Sequence, residues 1–164
     1  MQSAQLYKAV PDFVAVATSN ERIRLSQKQS HRVLLFFYPK NNTPSCVIEN
    51  QDFAANHQRF MQLNTQIYGI SRDSLESHEK FKLSLNLPFN LISDSNEALC
   101  RLFDVLNPQE KFGQIIYSLS RSSFLINEKG ILIYEWRDTP VKEHVHEVLT
   151  VLDYLESGAL SKAE

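Results

Sequence analysis

Cysteine, glycine and net charge are all scarce in this sequence. Its 164 residues include two cysteines and four glycines, and the formal net charge is −2. Two cysteines argue against a disulfide-stapled scaffold. Four widely separated glycines exclude a glycine-rich phosphate-binding loop. The nearly balanced charge provides no electrostatic surface for nucleic acid or for an anionic membrane.

Long apolar runs are missing as well. No run approaches the roughly 20 residues of a transmembrane helix, and the N-terminal segment MQSAQLYKAV has no apolar core of a signal peptide. We therefore expect a cytoplasmic protein in a reducing compartment, with no membrane association. The length and the ordinary apolar and charged fractions fit one domain, residues 1–164.

The most informative stretch is residues 33–53, VLLFFYPKNNTPSCVIENQDF. Its first six residues are apolar without interruption, which predicts a strand buried on both faces and ended by Pro39. Cys46 then falls where this strand leads into the N-terminus of a helix. Ligands bind at such positions in open α/β sheets, and unpaired N–H groups there favour the thiolate over the thiol. A buried, inert cysteine is the alternative, but the turn around Cys46 favours the reactive interpretation.

Residues of this stretch resemble a known family. Pro39, Thr43 and Cys46 reproduce the Pro-x-x-x-Thr-x-x-Cys signature of peroxiredoxins, and FFYPKNNTPSCVIE is similar to the Q-type branch, the bacterioferritin comigratory proteins. The resemblance implies a thioredoxin-like α/β fold of the peroxiredoxin type and a thiol-dependent peroxidase activity. Two positions depart from the pattern: Ser45 stands where the branch usually has glycine, and Gln51 stands where it often has a resolving cysteine.

The periodicity of the whole chain agrees with this fold class. Strands are predicted over residues 13–17, 23–25, 33–38, 65–70, 89–92, 122–126 and 131–136. Helices are predicted over residues 46–64, 73–85, 95–105 and 139–158, with Leu75 on the core side of the second and with Thr139 and Pro140 opening the last. Residues 106–120 are expected to form a long connection, whose apolar segment 115–117 is either an interface patch or buried. This order predicts a mixed central sheet with helices on both faces.

The resemblance also implies roles for individual residues. Cys46 is the nucleophile that attacks the peroxide, the Thr43 hydroxyl is directed at the sulfur or the peroxide, and Pro39 keeps water out. Arg121, immediately before a predicted strand, brings a permanent positive charge and planar donors. Glu49 supports the site by fixing an arginine or the loop.

Ser45 is expected to support the site through its backbone N–H group, and the turn must avoid a conformation that only glycine adopts easily. No cofactor and no metal are expected. His144 and His146 point to different sides of a predicted helix, and the other three histidines have no partner at ligand spacing. The expected partners are a peroxide and a thiol reductant, namely thioredoxin, glutaredoxin or glutathione, and the expected state is a monomer or a weak homodimer.

The fate of the oxidised Cys46 depends on Cys100, the second thiol. On the predicted helix 95–105, Cys100 lies away from the apolar stripe, which places it toward the rim or the solvent. We therefore expect a one-cysteine cycle in which an external thiol reduces the sulfenic acid. Three alternatives remain open: a two-cysteine cycle with Cys100 as the resolving residue, a non-enzymatic redox sensor that uses Cys46, and a Cys–His hydrolase with His144 as base.

Overall fold

The centre of the molecule is the buried strand β3, Arg32–Phe37, whose six residues are all buried. The computed structural model describes residues 2–158. The other strands are β1 Val14–Ala17, β2 Arg22–Arg24, β4 Thr65–Ser71, β5 Asn90–Ser93, β6 Leu106–Lys111, β7 Gln114–Leu119, β8 Ser122–Ile126 and β9 Leu132–Trp136. Seven strands form one sheet in the order β2-β1-β5-β4-β3-β8-β9, and β6 and β7 form a separate two-stranded sheet. The helices are α1 Pro44–Ala55, α2 His57–Gln62, α3 Leu75–Leu85, α4 Ala98–Leu102 and α5 His144–Glu156.

The sheet is mixed, as predicted. β3, β4 and β5 run parallel to one another, whereas β8 pairs antiparallel with β3 and β9 pairs antiparallel with β8. All seven predicted strands are present with ends within one residue of the prediction. Apolar, β-branched and aromatic runs are a reliable strand signal where both faces of the sheet are buried.

Helices cover both faces of the sheet and create two separate cores. Val33, Leu35 and Phe37 of β3 point into one core, which is completed by α4. The intervening residues of β3 point into the second core, which contains apolar side chains of α1, α2, α3 and α5. This arrangement follows from the alternation of side chains along a strand. Among the described residues, no helix is long and apolar enough to cross a membrane.

The first two predicted helices have different boundaries in the structure. The helix predicted over residues 46–64 is interrupted at Asn56, which has φ −108° and ψ 8° and whose side-chain amide donates to the Asp52 carbonyl at 2.8 Å. The helix predicted from residue 73 begins at Leu75, because the hydroxyl of Ser74 accepts the N–H of Ser77 and caps it. Leu75 was predicted to face the core; in this first turn it is 37% exposed instead.

The long connection predicted over residues 106–120 is wrong, because this segment forms a β-hairpin. β6, Leu106–Lys111, pairs with β7, Gln114–Leu119. The turn consists of Phe112 and Gly113, both with positive φ (53° and 75°), as expected for a tight two-residue hairpin turn. The segment Ile115-Ile116-Tyr117 is exposed, so its burial is excluded. Among the described strands, β6 and β7 pair only with each other, and β6 carries Pro108, Glu110 and Lys111, which obscured the alternating pattern.

The last helix begins later than predicted. α5 starts at His144, so Thr139 and Pro140 do not open it. The Thr139 N–H donates to the Arg121 carbonyl at 2.9 Å, which keeps this segment beside the start of β8. Glu143, with a left-handed φ of 67°, then directs the chain into the helix.

Candidate active site

Cys46 lies in the first turn of α1, at the edge of the sheet where β3 and β4 end. Thr43 precedes the helix in an extended conformation, and Pro44 occupies its first turn, where a missing N–H group costs little. The Cys46 side chain is 1% exposed and belongs to the core on the α1 side of the sheet. The turn before Thr43 places its positive φ at Asn42 (67°), a residue type that tolerates the left-handed region.

Arg121 reaches this cysteine from a distant part of the chain. Ser122, the first residue of β8, is paired with Phe37, the last residue of β3, so the residue just before β8 lies at the end of the strand that leads to Cys46. The guanidinium Nη2 lies 3.5 Å from Cys46 Sγ and 3.0 Å from Ser45 Oγ. The sheet register therefore brings together two residues that are 75 positions apart.

Glu49 fixes the other side of the same guanidinium. Its Oε1 accepts from Arg121 Nη1 at 2.5 Å, and the side chain is 1% exposed. Burial raises the pKa of Glu49 to about 7, although Arg121 acts in the opposite direction. Burial alone would lower the pKa of Arg121, but the neighbouring Glu49 and Cys46 outweigh it and the net shift is upward. The expectation that Glu49 fixes an arginine agrees with this contact.

The remaining predicted site residues surround this group. Ser45 is exposed and lies within α1, in a helical conformation, so the absence of glycine there causes no backbone strain. Thr43 is partly buried, and its hydroxyl donates to the Lys40 carbonyl at 2.9 Å within the turn. Pro39 follows β3 and is exposed. The structure thus brings Arg121 into direct contact with Cys46, Ser45 and Glu49 and places Thr43 and Pro39 in the turn beside them.

His144 lies near the site but has other partners. Its Nε2 is 2.7 Å from Ser123 Oγ and its Nδ1 is 3.3 Å from Thr139 Oγ1. Burial, with a further contribution from the Arg121 charge, lowers the pKa of this imidazole to about 4. Because both ring nitrogens are occupied by hydroxyl groups, His144 is not arranged as a base for Cys46. Within residues 2–158, no group of three or more His, Cys, Asp or Glu side chains is placed to hold a metal ion.

The expected position of Cys100, at the rim of its helix, is wrong. The side chain is fully buried, in the core opposite the one that contains Cys46. The Asp94 carboxylate accepts the N–H groups of Leu99 and Cys100, so α4 starts at Ala98 and is much shorter than the predicted helix 95–105. In this short helix Leu99 and Cys100 are both buried, so Cys100 points into the core. Burial, with the nearby Asp94 carboxylate, raises the pKa of Cys100 far above that of a free thiol.

Sequence reasoning missed a buried polar network behind the β3–α1 turn, residues 39–43. It consists of Tyr38, Asn41, Ser71, Asp73, Ser77 and His78. The available signal was polar side chains in or beside segments that are otherwise apolar, but nothing in the sequence related residues 38–41 to residues 71–78. Their proximity depends on the parallel pairing of β3 with β4.

Sequence comparison relates this chain to known proteins. The sequence model of the AhpC/TSA family matches residues 6–135. Peroxiredoxin Bcp of Bacillus subtilis is 40% identical over 148 residues, which cover 90% of this chain and 94% of the relative. Peroxiredoxin Bcp of Escherichia coli is 30% identical over 149 residues, covering 91% and 94% of the two chains.

Solved structures show the same relationship. Peroxiredoxin Q of Xanthomonas campestris superimposes with a TM-score of 0.83 at 34% identity, covering 86% of this chain and 89% of the other. A structure of the bacterioferritin comigratory protein of the same organism, described as reducing alkyl peroxides, gives a TM-score of 0.85 at 33% identity, with 93% and 98% covered. The chain has a thioredoxin-like fold and belongs to the AhpC/TSA family, in its Bcp/peroxiredoxin Q group, and is therefore a thiol-dependent peroxidase.

Proposed function

We propose that the protein reduces hydrogen peroxide and small alkyl hydroperoxides by nucleophilic attack of Cys46. The thiolate sulfur attacks one peroxide oxygen, a sulfur–oxygen bond forms and the oxygen–oxygen bond breaks. Cys46 becomes a sulfenic acid, and the departing hydroxide or alkoxide takes a proton to leave as water or an alcohol. The observation that carries the proposal is the Arg121 guanidinium, 3.5 Å from Cys46 Sγ and fixed by buried Glu49.

In this mechanism Arg121 stabilises charge as it moves from sulfur to oxygen. A fixed guanidinium is effective because it requires no reorientation when the charge develops. Glu49 and Ser45 each contact one of its terminal nitrogens, so its plane is fixed before the peroxide binds. The N–H groups of the first turn of α1 add a partial positive charge at the same place. Thr43 is assigned to the peroxide through its hydroxyl oxygen, and Pro39 to the rim that limits entry of water.

We further propose a one-cysteine cycle. An external thiol attacks the sulfenic sulfur, a mixed disulfide forms and water leaves. A second thiol then breaks the mixed disulfide and returns Cys46 to its reduced state. Two observations support this proposal: Cys100 is buried across the sheet from Cys46, and position 51, on α1, is an exposed glutamine. Glutathione, glutaredoxin and thioredoxin are the candidate reductants.

The first test is stopped-flow mixing of the reduced protein with stoichiometric peroxide. We expect rapid oxidation of the wild type and none in Cys46→Ser, with Cys100→Ser as the matched control that keeps the reactive residue. Oxidation of the wild type as slow as that of a free cysteine would contradict the peroxidase mechanism and favour a redox sensor.

The second test is intact and peptide mass measurement after peroxide treatment with thiol trapping. We expect a trapped sulfenic acid on Cys46 and a free Cys100. A high yield of a Cys46–Cys100 disulfide would replace the one-cysteine cycle with a two-cysteine cycle and leave the peroxidase assignment unchanged.

A further inference from the structure

The turn that carries the protein from β3 to Cys46 is anchored to a different helix, α3. Asn41, at the middle of this β3–α1 turn, is 3% exposed although it is an amide in a connecting segment. Its backbone N–H donates to Asp73 Oδ2 at 3.0 Å. Its side-chain Nδ2 donates to Ser77 Oγ at 3.1 Å and lies 3.2 Å from His78 Nδ1. Asn41 is therefore bonded through both its backbone and its side chain to the start of α3.

The hydrogen-bond directions around Asn41 define the protonation state of His78. The Tyr38 hydroxyl donates to Asn41 Oδ1 at 2.6 Å, so the amide nitrogen of Asn41 faces His78 Nδ1, which must accept. The other ring nitrogen, Nε2, lies 3.2 Å from Ser71 Oγ and is left as the donor. The Ser71 hydroxyl in turn donates to Asp73 Oδ2 at 2.5 Å. This series of hydrogen bonds, from Tyr38 to Asp73, is satisfied only when the His78 imidazole is neutral and protonated at Nε2.

We propose that Asn41 and His78 are positioning residues for the peroxidase reaction, which together hold the β3–α1 turn so that Cys46 and the N–H groups of α1 meet the peroxide in a fixed geometry. This proposal rests on the assignment of Cys46 as the nucleophile. Asn41 lies five residues before Cys46 along the chain, and the intervening residues include Thr43 and Pro44 at the start of α1. A displacement of the turn therefore moves the helix start that carries the sulfur. Misplacement by about 1 Å is sufficient to reduce a reaction rate about 10²-fold.

The arrangement also predicts a dependence on pH. Two titratable groups face His78: Asp73, from the β4–α3 connection, and Tyr38, which follows β3. The other side chains around the ring, those of Asn41, Ser71 and Ser77, are neutral. Burial lowers the pKa of His78 below 6.5, although Asp73 acts in the opposite direction. Protonation at Nδ1 would place two donors against each other, the ring N–H and the Asn41 amide. The turn should therefore lose this anchor only in acid, below about pH 6.5.

The proposal is tested by substitutions that separate hydrogen bonding from packing. Asn41→Leu keeps the branched side chain but replaces both polar amide atoms with methyl groups, and His78→Leu removes the acceptor from the other side. We expect each to lower the second-order rate of Cys46 oxidation by hydrogen peroxide about 10²-fold. Alkylation of Cys46 by iodoacetamide, which does not require the aligned donors, should change much less. His78→Asn keeps an acceptor near the position of Nδ1 and should recover most of the peroxide rate.

Leu85→Ala is the matched control for a loss of helix packing. Leu85 is the last residue of α3, at the opposite end of the helix from the residues that bond Asn41, and it packs against the core that contains Cys46. All variants are compared at a temperature at which circular dichroism shows them to be folded. Two results would overturn the proposal. One is an equal loss of the rate of Cys46 oxidation in Asn41→Leu and in Leu85→Ala. The other is a wild-type rate of oxidation in both Asn41→Leu and His78→Leu. Peroxide consumption that persists in Cys46→Ser would instead overturn the assignment of the nucleophile.

Asn41→Asp supplies a readout that is independent of activity. This change places a carboxylate where the amide donor faces His78 Nδ1, so protonation of the ring becomes favourable. The His78 ring-proton resonance, assigned by its loss in His78→Asn, should titrate at a higher pH in Asn41→Asp than in the wild type. An unchanged titration midpoint would show that Asn41 does not control the ring and would contradict the proposed contact.

Discussion

Replacement of Glu49 by glutamine should remove a pH dependence of stability that the buried carboxyl imposes. In the folded protein burial raises the pKa of Glu49 to about 7, from an ordinary value of 4.5. The folded state therefore binds this proton more tightly than the unfolded state. The protonated Glu49 carboxyl therefore contributes to the free energy of unfolding; this contribution is fully present below pH 4.5 and is lost as the pH rises through 7. Each pKa unit corresponds to about 1.4 kcal/mol, so the loss amounts to about 3 kcal/mol.

The measurement compares two variants that differ only at this carboxyl. Glu49→Gln is introduced into Cys46→Ser protein, so that no thiol at position 46 titrates, and Cys46→Ser alone is the reference. Urea unfolding of both is followed from pH 4.5 to pH 8. The glutamine variant can still accept a hydrogen bond from Arg121, and its absolute stability is not the prediction. We expect its free energy of unfolding to rise relative to the reference by about 3 kcal/mol across this range. A difference that is constant with pH would refute the argument.

Three further changes test separate features. Arg121→Gln should slow oxidation of the protein by peroxide about 10²–10³-fold, the usual effect of removing one transition-state donor, and an unchanged second-order rate would show that Arg121 does not act on the peroxide. Cys100→Ser should keep turnover with a small-thiol reductant, and in the folded wild type Cys100 should react with a thiol reagent only after denaturation. Gly69→Ala should lower the free energy of unfolding by about 1–3 kcal/mol, because its new Cβ would lie 2.8 Å from Leu91 Cδ2 and Phe36 Cζ. Urea unfolding measures this change, and an unchanged urea midpoint would contradict the prediction.

The parts of the site that the sequence predicted are those encoded locally. The apolar run at residues 33–38 is a strand, and Cys46 lies in the first turn of the helix that follows, as the turn residues between them predict. Arg121 could be assigned only through the family resemblance, because its proximity to Cys46 depends on the pairing of β8 with β3. No local pattern contains that pairing.

The errors concern where helices begin and which of their residues face the core. Asp94 accepts the N–H groups of Leu99 and Cys100, α4 begins at Ala98 instead of residue 95, and Cys100 faces the core instead of the rim. Similarly, the backbone bond between Thr139 and Arg121 delayed the start of α5, although Thr139 followed by Pro140 is a common local start signal. Local propensity decides whether a helix forms more reliably than it decides the rotation of the helix against the core.

The pleat of β3 has a consequence for the catalytic cycle. Leu34, Phe36 and Tyr38 point to the core that contains Cys46, and the residues between them point to the core that contains Cys100. A disulfide requires the two Cα atoms to lie within about 7 Å, with the side chains directed at each other. Here the hydrogen-bonded sheet lies between the two cores, so bond formation would require part of the buried centre of the fold to open. Attack by a thiol from solvent requires only access to the first turn of α1, beside exposed Ser45. We therefore expect reduction from outside to be the faster route.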